Sequence, residues 1–256
     1  MLPHLPDQYT ALVVGAGGIG RAVAQQLADD ERLGRLIVVT RDVARLTDQT
    51  LPENAPRPEI VQADVTTERG IKRLVKHLDG EALHLLFNTV GVLHDAESGE
   101  QPSNVAPEKR LESLSYDNLA HLFHVNAATA AMLLSRLVDN LTQAPAIIAS
   151  LSARVGSIGD NAMGGWYAYR ASKAAHNMLI KTAAVEFKRR NPQAILLCLH
   201  PGTTDTTLSK PFQARVPQGK LFTPEFVAER LIDVIGKRSP EESGSFWDWN
   251  DQPIEW

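Results

Sequence analysis

The chain has 256 residues, 43% hydrophobic and 22% charged, the balance of a soluble globular protein. Its net charge of −4 and pI near 6.1 argue against nucleic acid or an anionic membrane as a main partner. One cysteine, Cys198, excludes an intrachain disulfide, so nothing asks for an oxidising compartment.

The length suits one α/β domain, which routinely reaches about 250 residues. The opening Met1-Leu2-Pro3-His4-Leu5-Pro6 lacks the basic-then-apolar pattern of a signal peptide. No apolar run approaches the roughly 20 residues that span a bilayer. A cytoplasmic location without membrane contact is expected.

Ala11-Leu12-Val13-Val14 is an apolar run ending in glycines and reads as a buried strand. A helix is expected over 21–28, a second strand over 36–39 and a short third at Ile60-Val61. Helical spacing over 71–78 precedes a fourth strand over 83–87. One long helix is expected over 114–141, then a fifth strand over 146–151. A helix over 166–190 stops at Asn191-Pro192, and a sixth strand follows over 194–199. Thr223-Pro224 suits the start of a helix reaching 235, and 245–249 adds a last strand.

Uniformly apolar strands alternating with helices imply a doubly wound, mostly parallel sheet of seven strands. Two irregular stretches, 92–109 and 203–222, follow strand ends, where such folds bind ligands.

Gly15-Ala16-Gly17-Gly18-Ile19-Gly20 follows a strand and opens a helix, the context of a dinucleotide-binding turn. Glycines let the backbone approach a pyrophosphate. The second strand ends in Thr40 and Arg41, where an acidic residue would bind the ribose 2′-hydroxyl of NAD. A guanidinium there can clasp a 2′-phosphate, so NADP(H) is expected. Asp42 keeps NAD(H) open, or else caps the next turn.

Tyr169 and Lys173 lie four apart on one helix face. The ammonium can lower the phenol's pKa and make it a usable acid. Ser150 and Ser152 close the fifth strand, where a hydroxyl can polarise a substrate carbonyl. Asn126 is a poor interior helix residue and needs a reason, whether chemical or the repair of a helix defect. Trp166 either shapes a substrate pocket or packs structurally. His121 and His124 lack a third metal ligand, so no metal is expected. Cys198 reads as a core residue.

The glycine turn, Asn88-Thr89-Val90-Gly91, Asn126, the strand-five serine, Tyr169-x-x-x-Lys173 and Pro201-Gly202 occur in that order. Together they resemble the short-chain dehydrogenase/reductase family over nearly the whole chain. Residues 152–161, Gly164 to Tyr169, His200-Pro201-Gly202-Thr203 and Ser243 to Trp249 resemble its C-factor and sniffer-type carbonyl reductase branch.

The resemblance implies one Rossmann-like domain over 1–256, with a dinucleotide part over about 8–150 and a catalytic part over about 151–256. It implies an NAD(P)-dependent oxidoreductase that reduces a small-molecule carbonyl or oxidises an alcohol. Tyr169 would be the acid/base, Lys173 the ribose ligand that tunes it, and Ser152 the carbonyl-positioning group with Ser150 in reserve. Asn126 would hold a relay water. Gly15, Gly17, Gly18, Ile19, Gly20, Arg41, Asp64, Val65, Asn88, Gly91, Pro201, Gly202 and Thr203, with Thr206 nearby, would line the cofactor. The small-residue helices imply a homodimer or homotetramer, although packing on the sheet needs the same residues.

There are departures. The glycine turn is one residue shorter than the family's, Asn-Thr-Val-Gly replaces Asn-Asn-Ala-Gly, and Gly156 falls one place late. The C-factor likeness opens a second reading, a cofactor-binding signalling protein with incidental turnover. A nucleotide-sugar epimerase also uses Tyr-x-x-x-Lys but resembles a longer chain with a further domain.

Overall fold

A computed structural model describes residues 1–46, 57–94 and 106–256. β1 (Tyr9–Val14) alternates between two cores. Ala11 and Val13 enter one, and Leu12 and Val14 the other, the period of two of a strand covered on both faces. Next come α1 (Gly18–Ala28), β2 (Leu33–Thr40), β3 (Glu59–Gln62), α2 (Glu68–Leu78) and β4 (Leu85–Asn88). α3 (Tyr116–Phe123), a π turn (His124–Ala128) and α4 (Thr129–Leu141) lead into β5 (Ile147–Leu151). After α5 (Tyr167–Arg190) come β6 (Ile195–His200), β7 (Thr203–Thr204), β8 (Leu221–Phe222), α6 (Pro224–Gly236) and β9 (Ser245–Asp248).

Seven strands form one sheet in the order β3-β2-β1-β4-β5-β6-β9, with every neighbouring pair parallel. α1 and α6 bury Val23, Leu27, Val227 and Leu231 on one face. α2, α4 and α5 bury Leu74, Leu137 and Ile180 on the other. The strand order reverses between β1 and β4, so a crevice opens at their carboxyl ends. Thr223 caps α6 as expected, its hydroxyl accepting from the Phe226 amide at 3.2 Å.

The structure corrects two expectations. The single helix over 114–141 starts at Tyr116, is capped by Ser115, and widens into a π turn around Asn126. Such bulges divert a backbone carbonyl from the regular ladder. The irregular stretch 203–222 contains the parallel β7–β8 pair and a 3-10 turn, Lys210–Arg215. Of the stretch 92–109, residues 95–105 lie outside the described residues.

Candidate active site

The carboxyl end of β1 is shaped for a close approach. Gly15 has φ +101°, where a side chain would be strained. A Cβ on Gly20 would come within 1.9 Å of the Gly15 carbonyl oxygen. Gly17, before α1, has open space where a Cβ would stand. The first turn of α1 carries no acidic residue, so its amides and dipole suit an anion. Gly18, Ile19 and Gly20 form that turn. Thr89 holds the corner in place: its hydroxyl donates to the Val14 carbonyl at 2.9 Å and lies 3.2 Å from that of Gly15. The sequence placed Thr89 within the Asn88-Thr89-Val90-Gly91 motif, where it departs from the family pattern, and gave it no role.

Arg41 follows β2 and is exposed. Asp42 accepts from the Ala44 amide at 3.0 Å, so it starts the 3-10 turn Val43–Leu46. That is the capping role the sequence left open for it. Asp64 accepts from the Thr66 amide and hydroxyl at 3.0 and 2.7 Å just past β3, with Val65 buried beside it. On the other side of the crevice, Gly202 turns the chain at φ +71° between Pro201 and Thr203. Thr206 then reaches the glycine turn, 2.9 Å from where a Cβ on Gly18 would stand. These residues form a cradle that fits a dinucleotide.

α5 presents Tyr169, Lys173 and Asn177 along one face. The Lys173 ammonium donates to the Leu151 carbonyl at 3.0 Å, which fixes it at the end of β5. A Cβ on Gly91 would stand 3.3 Å from Lys173 Nζ and 3.5 Å from Asn126 Oδ1. Residues 91, 126 and 173 therefore converge. The Asn126 side chain clasps Val92, accepting from its amide at 2.7 Å and donating to its carbonyl at 2.9 Å. It also donates to the Ser172 hydroxyl at 3.0 Å. The Asn126 carbonyl accepts from His176 Nδ1 at 2.9 Å.

The two serines separate. Ser150 accepts from Asn88 Nδ2 at 2.9 Å and ties β5 to β4. Ser152 lies past the strand end and donates to Asn177 Oδ1 at 2.6 Å, on the helix that carries Tyr169 and Lys173. Asn177 and His176 were missed. Their signal was helical spacing from Lys173, which alone does not distinguish a site residue from a core one.

Burial dominates the electrostatics. It pushes the Tyr169 phenol above its ordinary value and the Lys173 ammonium down to about 8. Tyr169 is therefore held protonated at neutral pH. His176 is pushed down to about 3, by burial and then by the charge of Lys173, and stays neutral. Cys198 is buried in β6, and burial raises its thiol pKa.

Trp166 meets Tyr169 edge-on at 6.2 Å and Phe212 at 5.1 Å. His94 packs on Phe212 at 5.7 Å and bonds the Leu208 carbonyl through Nε2 at 3.0 Å. Trp166 thus stands between Tyr169 and the segment after β7. Among the described residues there is no group of three or more His, Cys, Asp or Glu that could hold a metal. Nor is any helix there long and apolar enough to cross a membrane.

Known proteins resemble this chain in sequence and fold. A dehydrogenase of 1-hydroxy-2-glutathionyl-2-methyl-3-butene from Rhodococcus sp. (strain AD45) is 29% identical, covering 96% of this chain and 99% of its own. The C-signal of Myxococcus xanthus is 32% identical over 57% of this chain and 83% of its own. An NADPH-bound carbonyl reductase from chicken fatty liver superposes with a TM-score of 0.82 at 23% identity, covering 98% of this chain and all of that one, which shows the shared fold. The model of the short chain dehydrogenase family matches residues 9–216, and the chain belongs to that family of oxidoreductases.

Proposed function

We propose that the protein is an NADP(H)-dependent carbonyl reductase, or equally the reverse alcohol dehydrogenase, acting on a small molecule. One observation supports this reading: Lys173 and Ser152 are both held at the end of β5, Asn126 converges on Lys173, and Tyr169 stands one turn before Lys173 on α5. Gly15 to Gly20 and the first turn of α1 hold the pyrophosphate, and Arg41 the 2′-phosphate. Asp64 and Val65 flank the adenine. Asn88, Gly91 and Pro201 to Thr203 enclose the nicotinamide side, where the bound cofactor supplies the hydride.

Tyr169 donates the proton to the carbonyl oxygen, being protonated at neutral pH. Ser152 polarises the same oxygen by turning its hydroxyl from Asn177. Lys173 holds the ribose and stabilises the phenolate left behind. Asn126 fixes the Gly91-Val92 backbone against Lys173. On α5, exposed Met178 and Val185 support self-association through that helix.

The test is cofactor consumption against a panel of ketones, aldehydes and quinones. NADPH should be oxidised faster than NADH, and Arg41→Ala should raise the NADPH KM about tenfold and leave that for NADH unchanged. Equal rates with both cofactors, or an R41A variant that still prefers NADPH, would contradict the Arg41 assignment. The similarity to the C-signal favours a second reading, signalling without need of turnover. A phenotype of the gene's loss that Tyr169→Phe rescues as well as wild type would support it.

A further inference from the structure

α5 begins in an unusual way. Its N-cap position is Trp166, at φ +53° with no side-chain cap of its own. Gly164 and Gly165 before it have φ +65° and +67°. Ser, Thr, Asp or Asn normally satisfies the first amides of a helix, and none stands here. The cap comes instead from Glu108, distant in sequence and only 3% exposed. Its carboxylate accepts from the Ala168 amide at 3.2 Å, and its backbone carbonyl accepts from the Trp166 amide at 2.6 Å. The second carboxylate oxygen accepts from Asn118 Nδ2 on α3. Arg170 holds the same corner from the other side, donating to the Gly165 and Gly164 carbonyls at 2.9 and 3.1 Å.

We propose that Glu108 is a positioning residue for the reaction: by capping α5 from the segment before α3, it sets the angle at which Tyr169 and Trp166 meet the substrate. Ala168 is the neighbour of Tyr169, and the left-handed Trp166 that Glu108 anchors is the residue packed against the Tyr169 ring. A helix without this cap keeps its buried interior but frays at the turn that carries the proposed acid. Glu108 is buried, so loss of its carboxylate would also leave buried donors unpaired. This rests on Tyr169 as the acid.

The test compares Glu108→Ala, Glu108→Gln and Tyr169→Phe, using the panel carbonyl that wild type reduces fastest, with NADPH binding and thermal melting measured on each. E108A should lose kcat by about 10- to 100-fold, the cost of a misplacement near 1 Å, with NADPH affinity kept. E108Q should retain most of kcat. Asn118 Oδ1 has no partner in the structure, so its amide can rotate to accept from the new Gln amide while the Gln oxygen caps Ala168.

Wild-type kcat in E108A, or an equal loss in E108A and E108Q with both melting cooperatively, would overturn the inference. Should E108A not fold, Glu108→Asp carries the test: it is one carbon shorter, by about 1.5 Å, and should lose kcat while melting cooperatively. Wild-type kcat in E108D would overturn the inference. Wild-type turnover in Y169F would overturn the assignment of the acid and this role with it. An inactive Y169F beside a fully active E108A would overturn the Glu108 role alone.

Discussion

The two halves of the crevice are built from different material. The half around β1 and β2 is backbone: glycines at the end of β1, the first amides of α1, and a threonine hydroxyl that closes the corner. The half around β5 and α5 is side chain: Asn126, Ser152, Lys173, His176 and Asn177 are buried and bonded across long sequence distances, and Tyr169 is buried on the same helix as Lys173. A site made of backbone tolerates substitution only where a Cβ fits. A site made of side chains depends on desolvation and on every partner in the network.

The largest effect on cofactor binding should come from breaking the backbone half. Gly20→Ala drives a methyl group into the Gly15 carbonyl, where no flexible side chain can yield. It should weaken NADPH binding by about 100-fold or more, the scale of a lost anion turn of roughly 3 kcal/mol, as read by nucleotide fluorescence titration. Binding at wild-type affinity would show that the turn does not hold the pyrophosphate.

The side-chain half should reveal itself in pH dependence. Burial lowers Lys173 to about 8, and the proposed ammonium role is lost as pH rises through that value. Tyr169 is shifted upward and stays protonated there. The kcat/KM for carbonyl reduction should therefore fall above about pH 8. Stability moves the other way, because the unfolded chain binds the extra proton between about 8 and the ordinary lysine value of 10.5. Folding should gain stability as pH rises through that window. A rate that is flat to pH 10 would contradict the Lys173 role.

The smallest effect sharpens the boundary between the halves. Thr89→Val keeps the shape and removes the hydroxyl bond to the Val14 carbonyl. It should cost about 1 kcal/mol of stability and weaken NADPH binding several-fold, with kcat at saturating cofactor unchanged. A fall in kcat instead would place Thr89 in the catalytic half.

This contrast also explains what the sequence made legible. The glycine turn, the apolar strands and the Tyr169–Lys173 spacing are local patterns, and each stands where the reading put it. The π turn at Asn126 was not legible, because its partners His176 and Ser172 arrive from α5. Glu108 was invisible for the same reason: nothing near it in the chain says that its carboxylate caps a helix 60 residues on. The role of Asp42 could be narrowed only once the Ala44 amide was seen to bond it.

The most direct test of the central claim uses Tyr169→Phe. The account predicts that Y169F binds NADPH with wild-type affinity, because the cradle is intact, while carbonyl reduction at saturating NADPH falls by about 1,000-fold or more, within the 10²–10⁴ range for loss of a positioned acid. Turnover near the wild-type rate in Y169F would contradict it.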